Sequence, residues 1–180
     1  RIEAYGTIDE TNAAIGLARS LLDGQAGADR ADALLQQVQH DLFVLGGDLA
    51  APGEQKYPVP RIDDGHVDRL EAAIDELEED LPPLKHFVLP SGTPTGATLH
   101  LARTVCRRAE RLTVELAHLQ PISQAAAQYL NRLSDFLFVL ARWVNHQAGE
   151  PETPWVPVDR AERKREREAA RHRAGVEDDD

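Results

Sequence analysis

Apolar residues recur at intervals of three and four along five stretches of the chain, and segments rich in Pro, Gly and Asp separate them. That is the pattern of amphipathic helices joined by turns. No stretch alternates with a period of two for long enough to specify a strand. The clearest stripe, Leu34, Leu35, Val38, Leu42, Leu45 and Leu49, predicts a helix from about Arg30 to Leu49. Before it, Ile8, Ile15, Ala18 and Leu22 predict a helix that starts at Thr7, because Thr7 and Glu10 have the spacing of a capping box, and that ends near Leu22 before Asp23-Gly24. A proline-rich link from Ala51 to Asp64 then allows a change of direction. Val67, Leu70, Ile74, Leu77 and Leu81 form a third stripe with an acidic outer face, stopped by Pro82-Pro83.

The segment from Leu84 to Gly92 is apolar without a helical period, so something other than solvent is expected to cover it. It leads into Thr93-Pro94, an N-cap and first-turn pair that predicts a fourth helix running to about Ala117. The fifth spans about Ser123 to Ala148, with Gly149 as its terminator. Five helices with mostly short connections predict an all-α fold, a helical bundle in a single domain, although the order of packing is not legible.

The last two helices have polar stripes that their cores do not require. At about 100° per residue, Arg103, Arg107 and Glu110 share one side of the fourth helix, opposite Leu101, Val105, Ala109, Leu112 and Leu116. On the fifth, Asn131, Asp135, Phe138, Arg142 and Asn145 oppose Ala126, Leu133, Leu137, Leu140 and Val144, and both polar stripes are expected to face away from the core. Solvated faces tied by i to i+4 ion pairs would explain most such stripes. An aromatic among Asn, Asp and Arg, and the dense Arg107-Arg108-Ala109-Glu110-Arg111, fit better with a subunit interface lined by anion-binding groups. Arginine suits phosphate because its rigid fork makes paired hydrogen bonds and stays charged, although carboxylates would satisfy the same residues.

Composition narrows the ligand classes. A net charge of -11 disfavours nonspecific binding of nucleic acid, so an anionic ligand needs a local basic pocket. No apolar run reaches bilayer length and no secretory signal is visible, so the expected location is the cytoplasm. The single cysteine, Cys106, reads as a small core residue. His40, His66, His86, His100 and His146 lack ligand spacing and read as surface or satisfied, partly buried groups. The chain has no methionine and opens on Arg1 as if cut from something longer. The tail beyond Pro157 is charged on every side, so residues 1–157 are expected to form the bundle and 158–180 a flexible extension.

Four blocks, from Arg1 to Glu10, Phe87 to Gly92, Arg103 to Arg111 and Tyr129 to Asp135, resemble in sequence and order the PduO-type corrinoid adenosyltransferases. The resemblance covers about Arg1 to Pro157. It implies a five-helix bundle assembled as a homotrimer, with active sites between subunits, and transfer of the 5′-deoxyadenosyl group of ATP to the Co(I) of reduced cobalamin. It further implies that Arg107, Arg108, Glu110 and Arg111 hold the phosphates and ribose of ATP with Mg²⁺, and that Asn131 contacts the nucleotide. Asp9 would pair with Arg103 across the interface and shape the corrinoid pocket. Phe87 and Phe138 would be the aromatics beside the corrinoid, Phe87 taking the place of the lower axial ligand. A reductase and a B12-dependent enzyme are the expected partners. The family's glycine- and threonine-rich ATP loop would lie upstream of Arg1. Two other readings are a noncatalytic corrinoid or nucleotide carrier and a di-metal bundle, the latter from the Glu-x-x-His spacing of Glu115 and His118, for which no second motif exists.

Overall fold

Five helices carry the described chain of the computed structural model, which covers residues 1–51, 59–155, 159 and 162–165. They are α1 (Ile2–Ser20), α2 (Ala28–Ala50), α3 (Asp64–Glu79), α4 (Pro94–Leu119) and α5 (Gln124–Gln147). One further helical turn spans 162–165. Among the described residues there is no strand, and the only β pairing is an isolated antiparallel bridge between Val88 and Pro154. No described helix is long and apolar enough to cross a membrane.

Two of the predicted caps form. Thr93 accepts from the Gly96 N–H with Pro94 in the first turn of α4, and Gly149, at φ 69°, follows the end of α5. α3 opens on a reciprocal cap, in which the Asp63 side chain accepts from the His66 N–H and His66 Nδ1 accepts from the Asp63 N–H. The start of α1 differs from expectation. Thr7 is not its cap but lies in its second turn, where the hydroxyl donates to the Glu3 carbonyl at 2.8 Å. A Thr-x-x-Glu spacing satisfies helix ends and helix interiors alike, and Ile2 to Gly6 simply continue the helix upstream.

α1 packs on α2 and α4, α4 on α5, and α5 on α3 and along part of α2. This order makes α5 the central helix. Every residue from Val139 to Asn145 is buried, and an all-round buried segment of a soluble helix must be covered by several neighbours. The polar stripe of α5 therefore does not face away from the core at its C-terminal end: Arg142 is 4% exposed and Asn145 5%. They can be buried because both are hydrogen-bonded, as described below. α4 is also rotated from the expected setting. Its inner face is Ala102, Cys106, Ala109, Thr113 and Leu116, while Leu101 is exposed.

Cys106 is fully buried, its thiol 3.4 Å from the Leu130 carbonyl, and burial pushes its pKa well above the usual thiol range. It is the small core residue expected. In the segment Leu84 to Leu89, Leu84, Phe87 and Leu89 are exposed, while Val88 is half-buried and bridges to Pro154. The expected extension at 158–180 lies mostly outside the described residues, and so does much of the Ala51 to Asp64 link.

Candidate functional site on the seam of α4 and α5

α4 and α5 run antiparallel, and their contacts share one register. Arg103 of α4 lies with its guanidinium carbon 5.9 Å from the centre of the Phe138 ring of α5. Seven residues along, Asn131 Nδ2 of α5 donates to Glu110 Oε1 of α4 at 2.8 Å. Both pairs sum to the same register, so Arg107, between 103 and 110, stands opposite Ser134 and Asp135. Arg103, Arg107 and Glu110 thus line one edge of a seam about 10 Å long, with Phe138, Asp135 and Asn131 on the other.

One end of this seam is aromatic and cationic. Phe138 is flanked by Arg103, by Arg142 at 6.0 Å and by the His100 ring at 6.0 Å. Cations over a ring face are attracted by its quadrupole, and more so when water is excluded. The Nε of Arg103 and the Nδ1 of His100 are both buried without a hydrogen-bond partner. Burial, then the neighbouring Arg107, lowers the Arg103 pKa, and burial, then Arg103, lowers that of His100. His100 is only 2% exposed, so it is neither a surface group nor a satisfied one as expected. Nothing in its isolated position along the sequence marks it out.

A pH dependence follows from this. With its folded pKa depressed below the ordinary value of 6.5, His100 binds a proton more readily in the unfolded chain, so its neutrality favours the fold above that pH and disfavours it on acidification. The unfolding midpoint should fall as pH drops below about 6.5, and His100→Gln should flatten that dependence. An unchanged slope in the variant, measured by thermal unfolding between pH 5 and 8, would rule out His100 as its source.

The other end of the seam is polar and open. Arg107, Arg108 and Arg111 are exposed, and Arg108 forms an ion pair with Glu10 of α1. Both partners are about half exposed, so the pair contributes little to stability and can exchange for a ligand. Arg132 is held between Glu71 and Asp135 at 2.8 and 3.0 Å. Beside it a cavity of about 750 Å³ is lined by Glu110, Asn131, Arg132 and acidic residues of α3. Asp9 is exposed on α1, and the chain does not itself bring it to Arg103 as a hydrogen-bonded pair.

The loop before α4 is fastened to α5 by the two buried polar residues of its last turns. Asn145 Oδ1 accepts from the N–H and hydroxyl of Thr93, both at 3.0 Å, and Nδ2 donates to the Ser91 carbonyl at 3.1 Å. Arg142 donates to the Pro82 carbonyl at 2.9 Å and forms an ion pair with Glu152. Gly92, at φ 108°, and Gly96 both lie where a Cβ would overlap the Asn145 side chain. This fastening presents Phe87, 77% exposed, in a cavity of about 350 Å³ with Leu84, Lys85, His86 and Trp155.

Of the residues singled out in the sequence, Arg103, Arg107, Glu110, Asn131 and Phe138 share the seam, and Arg108 and Arg111 border it. Phe87 stands apart on its loop and Asp9 on α1. Arg142, Asn145, His100 and Trp155 complete the surroundings without having been assigned a role. Glu115 and His118 are both exposed, and no group of three or more metal-binding side chains occurs among the described residues.

The family model described as cobalamin adenosyltransferase matches residues 1–144. The chain is 46% identical to a corrinoid adenosyltransferase of Bacillus subtilis over 149 residues, 83% of this chain and 76% of that protein. It is 43% identical to the corrinoid adenosyltransferase PduO of Salmonella typhimurium over 143 residues, 79% of this chain but 41% of that longer protein. Its fold is similar to that of a phenylalanine-to-histidine variant of a PduO-type ATP:corrinoid adenosyltransferase from Lactobacillus reuteri complexed with cobalamin and ATP, with a TM-score of 0.80 at 34% identity, covering 86% of this chain and 83% of that one.

Proposed function

Because the chain belongs to the cobalamin adenosyltransferase family, we propose that it transfers the 5′-deoxyadenosyl group of ATP to the Co(I) of reduced cobalamin and releases triphosphate. The observation that carries the site assignment is the shared register of the α4–α5 seam, which sets an arginine track beside an aromatic, cation-flanked end. Co(I) is itself a strong nucleophile: it attacks C5′, the C5′–O bond breaks, and the electron pair leaves with the triphosphate. No side-chain nucleophile or general base is needed, so the protein's task is orientation and stabilisation of the leaving charge.

Arg107, Arg108 and Arg111 hold the triphosphate, with forks that form paired hydrogen bonds to its oxygens. Glu110 and Asn131, already joined by a hydrogen bond, meet the ribose and the nucleotide. The Glu110 carboxylate is also a hard oxygen donor of the type suited to the Mg²⁺ that accompanies ATP. At the aromatic end, Phe138 and Phe87 contact the corrinoid, Phe87 from a loop on which its ring is 77% exposed. Filling the lower axial side of cobalt with a hydrocarbon keeps out a coordinating base and makes four-coordinate Co(II) easier to reduce. Arg103, half-buried at the seam, takes the carboxylate of Asp9 from a neighbouring subunit in a homotrimer. The activity is assigned to the helical bundle of residues 1–157. The chain works in the cytoplasm, fed by a cobalamin reductase and serving a B12-dependent enzyme.

The test is anaerobic turnover. Cob(I)alamin, MgATP and the natural full-length protein are expected to give loss of the Co(I) absorption band, a light-sensitive alkylcobalamin and one triphosphate per corrinoid. Binding of corrinoid and ATP without loss of the band would replace this reading with that of a noncatalytic carrier.

A further inference from the structure

Resting on that reading, we infer that Trp155 is a positioning residue for Phe87, setting the angle at which its ring meets the corrinoid. The segment 152–155 is paired with the Phe87 loop in antiparallel fashion: the Leu89 N–H donates to the Thr153 carbonyl at 2.9 Å, and the Trp155 N–H to the Phe87 carbonyl at 2.7 Å. The Ser91 hydroxyl is 3.3 Å from the Thr153 hydroxyl. This two-sided pairing fixes the backbone of Phe87 and puts the Trp155 side chain beside it. The rings meet edge to face, with centroids 6.3 Å apart and planes at 77°, a preferred aromatic geometry.

Phe87 lies outside the core, 77% exposed, and Trp155 is 49% exposed. Among the described residues, the Trp155 ring and the short cavity wall of Leu84, Lys85 and His86 are what border it. The segment is tied back to the seam as well, because Glu152 pairs with Arg142, whose guanidinium lies 6.0 Å from the Phe138 ring. The two aromatics assigned to the corrinoid are thus held by one short stretch of chain.

The test uses the natural full-length protein loaded with MgATP and cob(II)alamin. Electron paramagnetic resonance reports the fraction of cobalt in the four-coordinate state, and ATP affinity is measured in parallel. Trp155→Ala should lower the four-coordinate fraction relative to five-coordinate cobalt by about two- to tenfold, the range expected for losing one edge-to-face aromatic contact. Trp155→Phe should restore most of it, and ATP affinity should stay unchanged in both. A Trp155→Ala protein that matches the parent overturns the inference, as does an equal loss in Trp155→Phe or a parallel loss of ATP binding. If the unaltered protein binds both substrates yet forms no four-coordinate cobalt, the functional reading itself fails and this inference falls with it.

Discussion

Arg107→Ala is expected to lower kcat/KM for adenosyl transfer to cob(I)alamin by about two orders of magnitude or more, with no change in unfolding temperature. The side chain is exposed and opposite Asp135 in the seam register, so the fold does not need it. The reaction does, because the triphosphate leaves with an additional negative charge that only the basic track can meet in a protein of net charge -11. Arg107→Lys should fall between, losing about tenfold, because a point charge replaces a fork and one charge-assisted hydrogen bond goes. The decay of the Co(I) band under anaerobic conditions measures the rate, and circular dichroism the stability. Turnover within threefold of the parent would remove Arg107 from the site.

Gly92→Ala is expected to have the largest effect on stability. At φ 108°, any side chain is strained by about 1–3 kcal/mol, and the added Cβ overlaps Asn145. Asn145 cannot yield without giving up Thr93 and Ser91, leaving polar groups unpaired at about 1–3 kcal/mol each. The strain and the loss of one such bond together come to about 2–6 kcal/mol, which should lower the thermal midpoint by about 4–24 °C for a chain of this size. In an Asn145→Ala background the overlap is gone, so the same substitution should cost measurably less. Additive losses in the double variant would mean that the backbone, not the overlap, sets the penalty.

The helices were legible because burial and period agree: Val38, Leu42, Leu45 and Leu49 are all within the core, as their spacing requires. The α4–α5 seam was legible for a related reason, since a stripe at three and four places Arg103, Arg107 and Glu110 together whatever covers them. What periodicity does not carry is the neighbour. Arg142 and Asn145 belong to the same polar stripe as Asn131, yet three turns along that stripe passes under the loop before α4, and only contacts between distant parts of the chain decide this. The same holds for Trp155, whose partner lies far upstream in the sequence, and for His100, which looks like any other scattered histidine until α5 covers it. Capping motifs failed once, at Thr7, because a local motif is satisfied equally well in a helix interior.

The centrality of α5 also bears on how the chain is made. A ribosome releases α1 to α4 first, and the helix that α3 and α4 cover most extensively emerges after both. Until then, Leu70 and Leu77 of α3 lack the helix that α3 packs against and present apolar surface to solvent and chaperones. Docking of α3 is therefore a late event in synthesis, and a nascent chain stalled before Gln124 should remain protease-sensitive at α3 despite holding four of its five helices.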